Sequence, residues 1–349
     1  MTQHVELGLD TFGDVTARPD GGLNSHAQVI RDLLDEAVLA DQTGVDFIGI
    51  GEHHRADFAI SAPEIVMAAI AARTSRIRIG TAVTVLSSDD PVRLFQRFAT
   101  LDALSNGRAE LILGRGSFTE SFPLFGLELR DYETLFEEKL DLFARLLRQE
   151  KVNWSGTLRP ALRNATIYPR PESKSLTAWI GVGGSPESVV RAVSHELPMM
   201  LAIIGGDPRR FKPYVDLYHR AWAQTGRPAL PIGVHSPGHV ATTDQAARDA
   251  YYPGYKKMRD KIGAERGWPP LQPDEFEREI THGSLYLGSP ETVAHKIAAT
   301  VRELGLARFD LKYSAGPVDP KSLLSCIELY GTRVIPLVRE LLEEKVAAQ

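Results

Sequence analysis

Residues 44–55 read Gly44-Val45-Asp46-Phe47-Ile48-Gly49-Ile50-Gly51-Glu52-His53-His54-Arg55. The run Val45–Ile50 is short and mostly apolar, the composition of a strand covered on both faces. It stops on a glycine and then on four titratable residues. Gly44 closes what precedes it. The segment Ser25–Thr43 carries Val29, Leu33, Leu34, Ala37, Val38 and Ala40 at helical spacings, and glycine commonly follows a helix C-terminus. After the polar cluster, Ala62–Ser75 reads as the next helix, with Pro63 suited to its first turn. The unit is therefore a buried strand, a polar strand end and a helix.

Worked outward, the unit recurs. Strands are expected at His4–Asp10, Ile77–Val85, Ala109–Leu113, Ala178–Val182, Met199–Ile204, Pro231–Val240 and Phe309–Tyr313. Helices are expected at Pro91–Leu104, Tyr132–Arg148, Pro186–Ser194, Pro208–Gln224, Pro290–Leu304 and Leu323–Lys345. Strict alternation implies parallel strands with right-handed crossovers. Eight units predict an α/β fold of the TIM (β/α)8 barrel kind. An open doubly wound sheet is the alternative, weakened because no G-x-G-x-x-G follows the first strand. Residues 1–349 are expected as one domain, with insertions after strands four and seven at about 150–175 and 241–283. The first has the makings of a β-hairpin; the second is rich in charge and proline.

Composition limits the partners. Forty basic against 45 acidic residues give a net charge of −5, and no segment is strongly basic, so no nucleic-acid partner is expected. No apolar run approaches the ~18 residues of a membrane span, and the N-terminus lacks the pattern of a signal peptide. Cytoplasmic localisation without membrane contact is expected. The lone Cys326 excludes an internal disulfide, and its apolar neighbours Leu323, Leu324 and Ile327 make it a core thiol.

In a barrel of this kind the chemistry sits at the C-terminal strand ends. Four places qualify. Gly51–Arg55 offers a Glu-His-His cluster suited to proton handling near neutral pH. Were strand geometry to persist, one of His53 and His54 would face the mouth; otherwise a histidine there merely bonds a loop. Thr81–Ser88, preceded by Gly80, is small-residued enough for a flat ring, though strand packing explains it equally. Gly114–Glu120 holds Arg115 and Gly116, an arginine flanked by glycines and able to meet an anion; a surface arginine in a turn is the plain alternative. Gly183–Ser188 places Ser185 as N-cap and Pro186 at the first helical position, with Gly183 and Gly184 leaving backbone N–H groups open to an anion. Gly288-Ser289-Pro290-Glu291-Thr292 is a near-copy, so a well-capped helix alone explains either. A metal site would have to recruit His235 and His239, which no carboxylate cluster accompanies, and none is expected.

Taken in order, Glu52-His53-His54, Gly80-Thr81-Ala82, Val85-Leu86, Pro91-Val92-Arg93, Asp102, Ser105, Gly107-Arg108, Arg115-Gly116, Gly126, Gly184-Ser185 and Leu197-Pro198-Met199 resemble the bacterial luciferase-like flavin-dependent monooxygenases. The likeness is dense over about Gly44–Ile204 and thin afterwards. It implies FMN as cofactor and an oxidation using reduced FMN and O2 on a small organic substrate. A separate flavin reductase and a homodimer are implied partners. It assigns the phosphate site to Arg115, Gly116, Gly183, Gly184, Ser185 and Ser188, and a non-proline cis peptide to Ala82–Val83. It puts ring-lining residues at Ala202 and Ile203, and makes His53 catalytic with Glu52 beside it. Phe12, Phe58, Phe118, Phe122 and Phe125 are candidates for an apolar pocket. Gly114 stands where luciferase has a reactive cysteine, and Ala202-Ile203 replaces a serine–tryptophan pair. A flavin carrier without turnover and, further off, a metal-dependent barrel hydrolase are the competing functions.

Overall fold

The computed structural model describes residues 4–344. Eight strands form the barrel: β1 (Glu6–Thr11), β2 (Phe47–Ile50), β3 (Arg78–Thr81), β4 (Ala109–Gly114), β5 (Thr177–Val182), β6 (Met199–Ala202), β7 (Ile232–Val240) and β8 (Arg308–Lys312). Every neighbouring pair is parallel, from β1 with β2 round to β7 with β8. The ring closes where Glu6 pairs with Arg308 and Asp10 with Lys312. The open-sheet alternative is thereby excluded.

The outer helices are α1 (His26–Thr43), α2 (Pro63–Arg73), α3 (Pro91–Leu104), α4 (Tyr132–Arg148), α5 (Pro186–Ser194), α6 (Lys212–Gln224), α7 (Pro290–Leu304) and α8 (Pro320–Leu329). Their starts are locally encoded. Proline opens α2, α3, α5, α7 and α8, where the missing N–H has no intrahelical role. Ser25, Asp90, Ser185, Ser289 and Asp319 accept N-cap hydrogen bonds. Gly44 ends α1 at φ 87° with its N–H on the Ala40 carbonyl.

The main core lies between the barrel and the helices, where Leu7, Ile48, Phe95, Phe143, Ile180 and Ile297 are buried. Inside the barrel a smaller apolar layer holds Phe47, Ile112, Trp179 and Met200 against Val83. Below it the interior is charged. Arg308, fully buried, pairs with Glu110 and Asp310 and stands 3.5 Å over the Phe47 ring; Arg78 pairs with Glu6 and Glu110. Buried charges persist in this way only when each finds a partner.

The stretch expected as one strand, Ile77–Val85, is interrupted. β3 ends at Thr81, a two-residue strand resumes at Thr84–Val85, and a 3-10 turn covers Leu86–Ser88. Residues Lys151–Trp154 and Leu162–Thr166 pair antiparallel between α4 and β5. Between β7 and α7 run two helices, Asp244–Arg266 and Pro273–Thr281, and a strand, Tyr286–Gly288, that extends pairing along β7. The C-terminal helix is α8, then a π-helical turn at Tyr330–Val334, then a helix at Ile335–Glu344; expected Lys345 lies outside the described residues. Cys326 is buried and accepts from the Val240 N–H at 3.2 Å, and burial pushes its thiol up to about 12. Among the described residues no helix is long and apolar enough to cross a membrane.

Candidate active site

The interruption of β3 contains a cis peptide between Ala82 and Val83, at the position the resemblance indicated. Val83 then lies against β4. A Cβ added at Gly114 would come 2.5 Å from its Cγ2, so a side chain larger than hydrogen has no room there. The absence of a cysteine at 114 thus has a steric reason in this chain.

Arg115 and Ser185, distant in sequence, converge through one carboxylate. Arg115 Nη1 donates to Glu133 Oε1 at 2.6 Å. The other oxygen of Glu133 lies 3.9 Å from Arg191 Nη2. Arg191 donates to Ser188 Oγ at 3.3 Å and pairs with Glu137 at 2.5 Å. Ser185, the N-cap of α5, accepts from the Ser188 N–H, and the two hydroxyls are 2.9 Å apart. Two guanidinium groups therefore flank the Glu133 carboxylate beside the N-terminus of α5; Arg191 is held by Glu137 as well, and the Glu133 side chain is 61% exposed. Gly183 has open space where a Cβ would stand, and Gly184 adopts φ 102°. Tyr132 supports the loop by donating to the Gly116 carbonyl at 3.0 Å and lies under Arg115.

β2 ends at Ile50, and the two histidines diverge without strand geometry. The His53 ring stacks on Phe58 at 4.4 Å and meets the edges of Phe12 at 4.7 Å and Phe118 at 5.2 Å. Burial among these rings lowers its pKa to about 4; the Asp14 carboxylate opposes this, and Lys312 and Arg55 reinforce it. His53 is therefore neutral near pH 7. Glu52 does not hold it. Glu52 Oε1 is 3.0 Å from His54 Nε2, and Oε2 accepts from the Val85 N–H at 3.2 Å. The carboxylate thus ties the end of β2 to the turn after β3 and positions His54 against Phe125.

The mouth also holds residues that the sequence reading did not single out in these roles. Lys312 donates to Asp14 at 2.9 Å and stands 4.5 Å over the Phe12 ring. His235 Nδ1 lies 2.6 Å from Asp10 Oδ2. Arg191 had a faint signal, since it sits three residues beyond Ser188 on α5 and so shares its face. Asp10 and His235 had none, because only barrel closure joins β1 to β7.

Of the expected residues, Arg115, Gly116, Gly183, Gly184, Ser185 and Ser188 gather at the β4–β5 side, with Ala82 and Val83 adjoining on β3. His53, Phe12, Phe58 and Phe118 gather on the β1–β2 side. Ala202 pairs with His235 at the inner wall, whereas Ile203 is fully buried in the outer core and does not face the mouth. Phe122 is likewise buried, stacked on Tyr132, and does not join the cluster around His53. His239 is buried and stacks on Tyr251, apart from the cluster around His53. Among the described residues no group of three or more His, Cys, Asp or Glu is placed to share a metal ion.

Fold and mouth together define a TIM barrel with its candidate site at the C-terminal ends of the strands. Residues 12–308 match the family model for the luciferase-like monooxygenases, and the chain belongs to that family. It is 30% identical over 257 residues to 4-hydroxyprotoasukamycin monooxygenase of Streptomyces nodosus subsp. asukaensis, covering 68% of this chain and 66% of that one. It is 29% identical over 266 residues to an F420-dependent glucose-6-phosphate dehydrogenase of Microbacterium testaceum, covering 73% of each. The oxygenating constituent of 3,6-diketocamphane monooxygenase from Pseudomonas putida, solved with FMN, superposes with a TM-score of 0.76 at 20% identity, over 96% of this chain and 98% of that one. The family therefore spans flavin- and F420-dependent enzymes.

Proposed function

We propose that this chain is an FMN-dependent monooxygenase that uses reduced FMN and O2 to oxidise a small organic substrate. It would work in the cytoplasm as a homodimer, with a separate reductase supplying the reduced cofactor. The observation that carries the choice of FMN is the clasp of Arg115, Arg191, Ser188 and the N-terminus of α5. Two guanidinium groups and a helix start suit a dianion. FMN ends in a phosphate monoester that carries up to two charges, whereas the F420 phosphate is a singly charged diester.

The residues fit that group. Arg115, Arg191, Ser185, Ser188 and the open backbone of Gly183 and Gly184 would hold the phosphate, with Glu133 displaced toward solvent. Ala82, Val83 and Ala202 would line the ring. When bound, the cofactor would supply the electrons and the activation of O2. His53, neutral and enclosed by phenyl rings, would give or accept a hydrogen bond and move a single proton at its ring nitrogen. Phe12, Phe58 and Phe118 pack around it and limit its contact with water. Glu52 acts at one remove, as the residue that fixes His54 and the turn at Val85. A flavin carrier would not need a histidine kept neutral, which favours turnover.

The test compares FMN with riboflavin, which lacks the phosphate. Fluorescence quenching should show FMN bound more tightly by the wild type. Arg115→Ala and Arg191→Ala should each cost FMN about 1.5–3 kcal/mol, the worth of a charge-assisted hydrogen bond, and leave riboflavin unchanged. Equal binding of FMN and riboflavin by the wild type would overturn the reading.

A further inference from the structure

Two imidazoles face the barrel mouth, in opposite settings. His53 has no hydrogen-bond partner for its ring among the described residues and is wedged between phenyl rings. His235 is clamped. Its Nδ1 lies 2.6 Å from Asp10 Oδ2, and Phe12 stacks parallel to it with centroids 6.0 Å apart. A histidine held through Nδ1 presents Nε2 in one fixed direction. That nitrogen has no partner among the described residues, and the side chain is 12% exposed, reachable from the mouth but sheltered. The clamp is buried: Asp10 is fully inaccessible, and its second oxygen, Oδ1, has no partner at all.

The position of this dyad matters. The anion clasp sits at the ends of β4 and β5. His235 on β7 and Asp10 on β1 lie across the barrel from it, together with Phe12, His53 and Lys312. Lys312 is neutralised by Asp14, so no free cation stands among the aromatic rings on this side. The rings of Phe12, His53 and Phe58 beside the dyad form an apolar lining suited to a neutral molecule.

We propose that His235, oriented by Asp10, is the polar anchor of the substrate pocket: with its Nδ1–H donated to Asp10, its Nε2 accepts from the single hydroxyl of an otherwise apolar, ring-sized substrate such as a phenol. The proposal rests on the barrel mouth being the substrate site, as in the function proposed above, but not on the identity of the cofactor. A site that hydrogen-bonds one oxygen discriminates strongly against the analogue lacking it, whereas the phenyl rings treat the two alike.

Phenol and toluene are the probes, titrated by calorimetry into the protein with and without FMN. The wild type should bind phenol more tightly than toluene. In His235→Phe the phenol dissociation constant should rise about three- to tenfold, with toluene unchanged or tighter and FMN binding unaffected. His235→Gln, which keeps a polar group in reach, should recover part of the phenol affinity. In wild-type protein carrying 15N-labelled histidine, the Nε2 signal of His235 should move on adding phenol and stay still on adding toluene. That last measurement decides the matter if the variants do not fold. Equal affinities for phenol and toluene, or an Nε2 signal indifferent to phenol, would overturn the assignment. Failure to bind FMN would be seen separately, in the titration before either probe is added.

Discussion

Glu36 shows how a single buried group can set the pH response of the whole chain. It sits on α1 and accepts from the Tyr313 hydroxyl at 2.5 Å. Burial raises its pKa from 4.5 to about 7, with Asp32, Asp14 and Asp35 adding repulsion and Tyr313 opposing. The unfolded chain therefore releases this proton from about pH 4.5, while the native protein keeps it to about pH 7. Stability from this group is complete below pH 4.5 and is lost as pH rises through 7. Glu36→Gln retains an acceptor for Tyr313 and has no proton to lose. Its melting temperature should match the wild type near pH 4.5 and exceed it at pH 8, by an amount equivalent to ~1–3 kcal/mol at about 1.4 kcal/mol per pKa unit. A thermal melt series in pH reads this directly, and a gap that narrows toward high pH would contradict it. The buried His239, lowered to about 4 by desolvation, acts in the other direction: its stabilising share is present above 6.5 and lost as pH falls toward 4. Residues of this kind are hard to see in sequence. His53 and Arg115 stand out because a strand end or a pair of glycines marks them, but nothing around Glu36 announces that Tyr313 will close over it.

Elements decide which of two identical signals is used. Gly184-Ser185-Pro186-Glu187 and Gly288-Ser289-Pro290-Glu291 encode the same capped helix start, and both serines accept the expected N-cap bond. The sequence alone leaves them tied. The structure separates them by what stands in front. At α7 the Asp244 carboxylate accepts from the Ser289 N–H at 2.7 Å, and a Cβ on Gly288 would come 2.6 Å from that carboxylate; an anion already occupies the helix start. At α5 the approach past Gly183 is open and two arginines converge. Ser185→Ala and Ser289→Ala should therefore each cost ~1 kcal/mol of stability as lost caps, while only Ser185→Ala weakens FMN. Denaturant melts and FMN titration of both variants check the pair; an equal effect on FMN would remove the special role of α5. Most elements were legible because period and punctuation agree, as in α1 ending at Gly44. The break in β3 was not, since Ile77–Val85 reads as a continuous strand and the cis peptide at Ala82–Val83 was indicated by resemblance, not by local propensity.

At the scale of the molecule, the mouth is covered by a segment whose shape no periodicity in the barrel units could give. The helix Asp244–Arg266 follows β7 and reaches back over the loops after β2 and β4. Arg55 pairs with both Glu120 and Glu265 at 2.5 Å, Lys261 meets Asp57 at 2.6 Å, and Arg266 donates to the Ser117 carbonyl at 3.0 Å beside the Phe118 ring. These contacts join the helix to two loops that the chain brings together only on closing the barrel. Glu265, Lys261 and Asp57 are substantially exposed, and exposed pairs contribute little to global stability. Their effect belongs instead to local opening, where a few kcal/mol separates closed from open segments. Glu265→Gln with Lys261→Gln should leave the global melt nearly unchanged, yet raise amide exchange in 244–266 and in the loop near Phe118. The same rise should appear in the wild type at high salt, because screening acts on exposed charges and spares the buried Arg308–Glu110–Asp310 cluster below. Exchange that increased equally in the barrel strands would mean that the helix is part of the global folding unit, and the latch would then be a structural strut with no separate opening of its own.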